Sequence, residues 1–123
     1  MMRGDWEVTM ADWSIQIVPG KNPGDPAVFV PQNQPTATPG GTLYADGGDA
    51  VSWDNRTTQN HQPLQTTATG RIAPLTLGSL VWDPVTPGHQ TGAWVVPQGV
   101  GGTIINYTCL LHARENGTIT VTS

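Results

Sequence analysis

The sequence places its single cysteine, Cys109, three residues before His112, where an alternating strand pattern ends in a turn. A thiolate and an imidazole at this spacing supply half of a metal site. A second histidine, His61, follows another strand-like run and is far enough from Cys109 in sequence for several strands to lie between them. One thiolate and two imidazoles brought together from separate strands form the soft three-ligand set that suits copper in electron transfer. The pattern therefore predicts one mononuclear copper site at His61, Cys109 and His112.

The elements that would position these residues are short β-strands. The 123 residues include 15 Gly and 11 Pro, only 11% are charged, and no long stretch has the 3.6-residue period of an amphipathic helix. About eight strand-like segments at roughly ten-residue spacing are typical of a sandwich or barrel. We therefore expect an all-β, Greek-key β-sandwich or barrel of about eight strands. The chain length predicts a single domain spanning residues 1–123.

Alternating or short apolar runs mark the individual strands. Residues 64–92 are ambiguous, because the apolar residues between 75 and 82 indicate one or two strands without defining their ends. Outside that region the patterns predict strands at 13–18, 27–30, 36–44 with a turn at 39–41, 51–53, 92–96, 102–109 and 117–121.

Charge and composition exclude several classes of partner. The net charge of -4 and the lack of a Lys/Arg cluster argue against binding to nucleic acid or to an anionic membrane. No apolar run approaches the ~18 residues of a membrane span, so we expect no membrane insertion. A lone cysteine cannot form an internal disulfide. Residues 1–5 lack the apolar stretch of a secretory signal, which leaves either a cytoplasmic protein or a mature form. The oligomeric state is left open.

Two segments resemble the cupredoxins, the family of small blue-copper β-sandwich proteins. Residues 48–55 with His61 are similar to the segment leading to that family's first histidine ligand, and residues 107–112 with 117–121 are similar to its ligand loop and last strand. The resemblance covers about residues 13–122. It implies one copper ion, Cu(I) or Cu(II), with His61, Cys109 and His112 as the strong ligands. It also implies one-electron transfer between protein partners and a periplasmic or extracellular location.

The fourth ligand departs from the family pattern. Cupredoxins usually carry a weak axial methionine in the ligand loop, whereas the methionines here are at positions 1, 2 and 10. In short-loop family members the methionine lies three residues after the second histidine, which is the position of Glu115 here. Nitrosocyanin-like relatives use a glutamate ligand, although not necessarily one from this position. Glu115 is therefore either an anionic fourth ligand that lowers the reduction potential or a solvated turn residue. His89 is either a further ligand or a surface residue.

Two features of the loop affect how rigid the site would be and how it meets a partner. The family commonly joins an Asn beside the first histidine to a Ser or Thr after the cysteine, and the corresponding residues here are Gln62 and Leu110. That connection is therefore absent or replaced. Leu110 and Leu111 would make the surface near His112 apolar, as in a docking patch for a transient redox partner.

Other functions are compatible with the same residues. An open copper site could act on a small molecule such as nitric oxide or oxygen, and a copper-storage or interaction module is a further alternative. Zinc is less well served, since structural zinc takes four strong ligands. A nucleophilic pair of Cys109 and His112 lacks an identifiable third residue to orient it. The interpretation carried forward is an electron carrier rather than an enzyme.

Overall fold

The computed structural model describes residues 11–32, 41–69, 84–112 and 114–122, with the backbone but not the side chains of residues 64–69. None of the described residues lies in a helix, so no described segment can cross a membrane as an apolar helix. The described strands are β1 (Asp12–Val18), β2 (Val28–Pro31), β3 (Thr42–Ala45), β4 (Ala50–Asn55), β5 (Pro63–Thr69), β6 (Trp94–Val95), β7 (Ile104–Cys109) and β8 (Asn116–Val121).

The first sheet has the order β2-β1-β4-β6. β1 pairs antiparallel with β2 and parallel with β4, and β6 pairs antiparallel with the start of β4. The alternation seen in the sequence is realised in β1, where Ile15 and Ile17 are fully buried between partly exposed neighbours. Successive side chains of a strand point to opposite faces, so this sheet turns one face to the core.

The second sheet has the order β3-β8-β7-β5. β7 and β8 pair antiparallel and are joined by a short turn, whereas β3 pairs parallel with β8. Ile105, Tyr107 and Cys109 alternate inward along β7. Because Cys109 is in phase with two core residues, its thiol faces the space between the sheets at the end of the strand.

Aromatic rings fill the centre of the sandwich. Tyr107 packs edge-on against Phe29 at a ring-centroid distance of 5.0 Å and against Trp53 at 5.5 Å. Burial raises the pKa of the Tyr107 phenol far above its usual range. Full burial of side chains of this size contributes roughly 1.5–3 kcal/mol each. The core thereby ties the first sheet to the strand that ends in Cys109.

The predicted all-β sandwich is confirmed, and most of the predicted strands lie close to the observed ones. Of the predicted run at 36–44, the described part is β3, and the predicted run at 92–96 contains only the two-residue β6. β5 was not predicted as a strand, because its sequence is rich in polar threonine and its pairing with β7 is a matter of backbone hydrogen bonds. The run at 75–82 lies outside the described residues.

Candidate metal centre

The turn between β7 and β8 brings Cys109, His112 and Glu115 together. The backbone N–H of Cys109 and the hydroxyl of Thr108 both donate to the carbonyl of Glu115, each at 2.9 Å, which closes the turn. Within it Arg114 has a positive φ of 68°, a conformation that tightens the return to β8. As a result the Cys109 Sγ lies 3.5 Å from the Nδ1 of His112.

His61 enters the same space from the segment between β4 and β5. Its backbone exchanges hydrogen bonds with Val85, donating at 3.2 Å and accepting at 2.8 Å. The His61 ring is 1% exposed, and its Nδ1 lies 3.7 Å from the Sγ of Cys109. The structure thus brings the three residues predicted from the sequence into one cluster.

Glu115 is a buried member of this cluster. Its residue exposure is 4%, so the interpretation as a solvated turn residue is wrong. The Oε1 of Glu115 lies 2.9 Å from His61 Nδ1 and 3.4 Å from His112 Nδ1. The Oε2 accepts the backbone N–H of Ala27 at 2.9 Å, which holds the carboxylate in place from the loop before β2. Both oxygens of Glu115 therefore have defined positions.

The four side chains can present their ligand atoms to a single ion. All four ligand atoms lie within 4.8 Å of one another. An ion about 2.0–2.3 Å from nitrogen, oxygen or sulfur ligands keeps neighbouring ligand atoms roughly 3–4 Å apart. The separations of Cys109 Sγ from the two imidazole nitrogens, 3.5 and 3.7 Å, lie in that range. The chemistry of this set, one thiolate, two imidazoles and a carboxylate, fits a transition metal ion.

Burial sets the electrostatics of the cluster. It lowers the pKa of His61, although the nearby Glu115 carboxylate acts in the opposite direction. Burial also raises the pKa of the Cys109 thiol, against hydrogen bonds from backbone N–H groups that act to lower it. A neutral imidazole is ready to bind a metal, whereas the thiol has to lose its proton when a metal binds.

Backbone groups connect Gln62 with Cys109 and Leu110. The Gln62 N–H points to Cys109 Sγ at 3.4 Å, and the Leu110 N–H donates to the Gln62 carbonyl at 2.8 Å. The segments that carry His61 and Cys109 are therefore joined directly. This connection does not depend on the side chains at positions 62 and 110.

Asn55 and Thr57 support the ring of His61, although the sequence patterns did not predict them as part of the site. Asn55, at the end of β4, is fully buried, and Thr57 Oγ1 lies 2.8 Å from the Nε2 of His61. Asn55 accepts the N–H of Thr57, two residues on, at 2.9 Å. An Asn followed two residues later by Thr directly after a strand is a typical sequence pattern for such a turn. That pattern would have indicated these residues.

One edge of the cluster reaches the surface. The side chain of His112 is 30% exposed, and Leu110 and Leu111 beside it are 54% and 47% exposed. A cavity of about 790 Å³ also opens onto His61, His112 and Glu115. Its other walls are the loop of residues 19–27, residues 57–59, Leu111 and Arg114. The cluster is thus buried on one side and accessible on the other.

His89 lies away from the cluster. It is exposed, and its Nδ1 contacts the hydroxyl of Thr86 at 2.9 Å and the carbonyl of Pro87 at 3.1 Å. Within the described residues it is not part of the group that could hold a metal. Of the two interpretations of His89, the structure favours the surface residue.

Comparison with known proteins shows likeness in structure. No protein-family model matches the sequence, and no curated protein matches it. Among solved structures, a purple cupredoxin from Nitrosopumilus maritimus is 19% identical, with a TM-score of 0.58 over 89% of this chain and 98% of the other. A reduced Cu(I) form of an amicyanin variant is 17% identical, with a TM-score of 0.55 over 94% and 87% of the two chains. At these identities the likeness establishes the fold.

Proposed function

We propose that this chain, which has the cupredoxin fold, binds one copper ion through His61, Cys109, His112 and Glu115 and transfers single electrons between protein partners. The observation that carries the proposal is the convergence of these four side chains, with ligand atoms within 4.8 Å of one another at the end of the sandwich. The similar structures support it, since one is a cupredoxin and another is a Cu(I) form of amicyanin.

The ligand set supports copper in particular. Thiolate and imidazole are the ligands that copper sites of electron-transfer proteins share. Zinc can bind the same four atoms, but zinc does not change its oxidation state, so it would not use the partly exposed His112 for electron transfer. When bound, copper would supply one-electron redox chemistry, while this chain would hold the four ligand groups between two rigid sheets.

The surroundings of the cluster support transfer to a protein partner. His112 reaches the surface next to the exposed Leu110 and Leu111, and an apolar patch is typical of a transient contact. We propose that the electron enters or leaves at His112 and that Cys109 connects the metal to β7. Following the family resemblance, we also propose that the chain acts as a single domain in the periplasm or outside the cell.

The test is the visible and EPR spectrum of the metal-free protein after addition of one equivalent of Cu(II). An intense charge-transfer band that is lost in Cys109→Ser and kept in the control His89→Ala is the expected result. Absence of such a band in the wild type would contradict the proposal. Zinc bound in preference to copper from a mixture would make the site structural.

A second candidate function is supported by the cavity of about 790 Å³ that opens onto His61, His112 and Glu115. A space of this size beside the ligands admits a small molecule such as nitric oxide or oxygen. If the copper protein acts on such a molecule, adding nitric oxide without oxygen should change the copper spectrum. An unchanged spectrum would leave electron transfer as the function. A metal-free interaction role would instead leave Cys109 open to thiol reagents in the purified protein, whereas tightly bound copper would protect it.

A further inference from the structure

The side-chain amide of Asn55 has only one orientation that satisfies its neighbours. Its Nδ2 donates to the carbonyls of Gln59 at 2.7 Å and Val85 at 2.9 Å. Its Oδ1 accepts both the N–H and the hydroxyl of Thr57, at 2.9 and 2.7 Å. The opposite orientation would set an oxygen against two carbonyl oxygens and an NH₂ group against an N–H donor. Since Asn55 is fully buried, water cannot relieve such contacts.

This orientation determines what the hydroxyl of Thr57 can do. A hydroxyl has one proton to donate and two lone pairs to accept with. Its possible acceptors among the non-ring groups are Asn55 Oδ1 at 2.7 Å and Gln59 O at 3.1 Å, neither of which can donate. The proton of Thr57 therefore points toward these oxygens. Its lone pairs are left for the Gln59 N–H, at 3.2 Å, and for the ring of His61.

The remaining contact is between Thr57 Oγ1 and His61 Nε2, 2.8 Å apart. Because the hydroxyl proton is used elsewhere, the hydrogen bond forms only if Nε2 carries a proton and donates it to Thr57. In a neutral imidazole with its proton on Nε2, the Nδ1 has a free lone pair. That lone pair faces the Sγ of Cys109 and the Oε1 of Glu115.

We propose that Asn55 and Thr57 act as positioning residues that keep a proton on Nε2 of His61 and so direct its Nδ1 to the metal. With the proton on Nε2, the lone pair of His61 Nδ1 faces the lone pairs of Glu115 Oε1, and these two atoms lie 2.9 Å apart. Such a pair is stable only with a positive charge between the atoms, either a proton or a metal ion. His61 Nδ1 and Glu115 Oε1 are thus already positioned to bind a cation in the metal-free protein. The part of the proposal that concerns metal affinity rests on the proposed function.

The experiment compares Thr57→Val, which removes the hydroxyl at nearly constant shape, with Thr57→Ser, which keeps it. Thr57 is only half-buried, so neither change removes a core residue. The matched control is Thr86→Val, since Thr86 Oγ1 makes the same kind of contact with the exposed His89. The readouts are the ¹⁵N NMR signals of the His61 ring, in the metal-free and Cu(I)-loaded protein, and the affinity for Cu(I).

In the wild type and in Thr57→Ser, Nε2 should carry a proton with and without Cu(I). In metal-free Thr57→Val, the proton should leave Nε2, and Cu(I) affinity should fall about 10- to 100-fold, as for other outer partners of metal-bound histidines. Thr86→Val should match the wild type. A histidine with the wild-type proton position and affinity in Thr57→Val would overturn the proposal.

The two proposals fail in different ways. If the wild type binds no Cu(I), the proposed function is wrong, while the ring signals of the metal-free protein still test the role of Thr57. If the wild type binds Cu(I) but its metal-free form has an unprotonated Nε2, the proposed role of Thr57 is overturned and the proposed metal site is kept. The protonation state of Nε2 in the metal-free wild type is measured without a variant, so it can overturn the proposed role of Thr57 even if Thr57→Val does not fold.

Discussion

Glu115 Oε1 lies 2.9 Å from His61 Nδ1, although the two residues are 54 positions apart and both are buried. The other oxygen of Glu115 accepts the N–H of Ala27, so the carboxylate cannot turn away without losing a buried hydrogen bond. A carboxylate held in this way would place a negative charge beside a metal ion bound in the cluster, in addition to that of the Cys109 thiolate formed on binding. The effect of that charge on a bound metal is the first property to test.

Glu115→Gln should raise the reduction potential of the copper-loaded protein. A negative charge next to the ion favours Cu(II), and two unit charges 4 Å apart interact by about 4 kcal/mol at an effective dielectric constant of about 20. We expect the reduction potential to rise by an amount equivalent to at most this energy, as measured by redox titration. The copper hyperfine splitting, measured by EPR, should also change. Asp25→Asn is the control, because Asp25 lines the same cavity but is exposed and outside the cluster. Equal potentials for Glu115→Gln and the wild type would rule out Glu115 as a ligand.

Gly20→Ala should disturb the metal site from a distance. A Cβ at Gly20 would lie 2.5 Å from the Cβ of Asp25 and 2.6 Å from the carbonyl oxygen of Pro26. The loop has to shift there, and Ala27, which donates to Glu115, follows directly. We expect a change of the copper spectrum in the same direction as for Glu115→Gln, but smaller. A spectrum identical to that of the wild type would show that the loop does not control the carboxylate.

Gly117→Ala should destabilise the protein. An added Cβ would overlap the ring and hydroxyl of the buried Tyr107, to which Gly117 is directly paired across β7 and β8. Overpacking of a core costs about 1–3 kcal/mol. The Tyr107 ring has little room to move away, because Phe29 and Trp53 pack against it. Urea unfolding of the metal-free protein measures the loss. The control is Gly92→Ala, where the added Cβ meets no atom within 4 Å and stability should change by no more than about 0.5 kcal/mol.

Asp49→Asn should weaken the fold at neutral pH more than in acid. Burial acts to raise the pKa of Asp49, but hydrogen bonds from the Trp13 indole and from the N–H groups of Ala11 and Asp46 outweigh it and lower the pKa. A carboxyl group whose pKa is lower in the folded state stabilises the fold above its unfolded pKa of about 3.9. That contribution is lost as the pH falls through the folded value.

The expected loss for Asp49→Asn is about 1–3 kcal/mol at pH 7, the size of hydrogen bonds to a charged group. Urea unfolding at pH 7 and at about pH 3 should show the difference from the wild type narrowing in acid. Asp12→Asn, at an exposed position of the same strand that contains Trp13, serves as the control. A difference that stays constant with pH would show that the charge of Asp49 does not stabilise the fold.

Local patterns were sufficient to predict most strands and three members of the cluster. Alternation along β7 places Cys109 on the inner face, and the spacing to His112 fits a short turn. Burial of Glu115 could not be derived in this way, because it depends on the N–H of Ala27, 88 positions away in sequence. β5 escaped prediction because its polar sequence is ordered by hydrogen bonds to β7 rather than by an apolar period.

The position of β8 in the second sheet has a consequence for the order in which the molecule forms during synthesis. β8 is the last strand along the described chain, yet it lies between β3 and β7. His61 leaves the ribosome before Cys109, His112 and Glu115, which emerge just ahead of β8 or at its start. A nascent chain therefore holds His61 without the other three residues until the segment from Cys109 to β8 has been released. Capture of a metal ion by all four residues would report that β8 has joined the described strands of the second sheet.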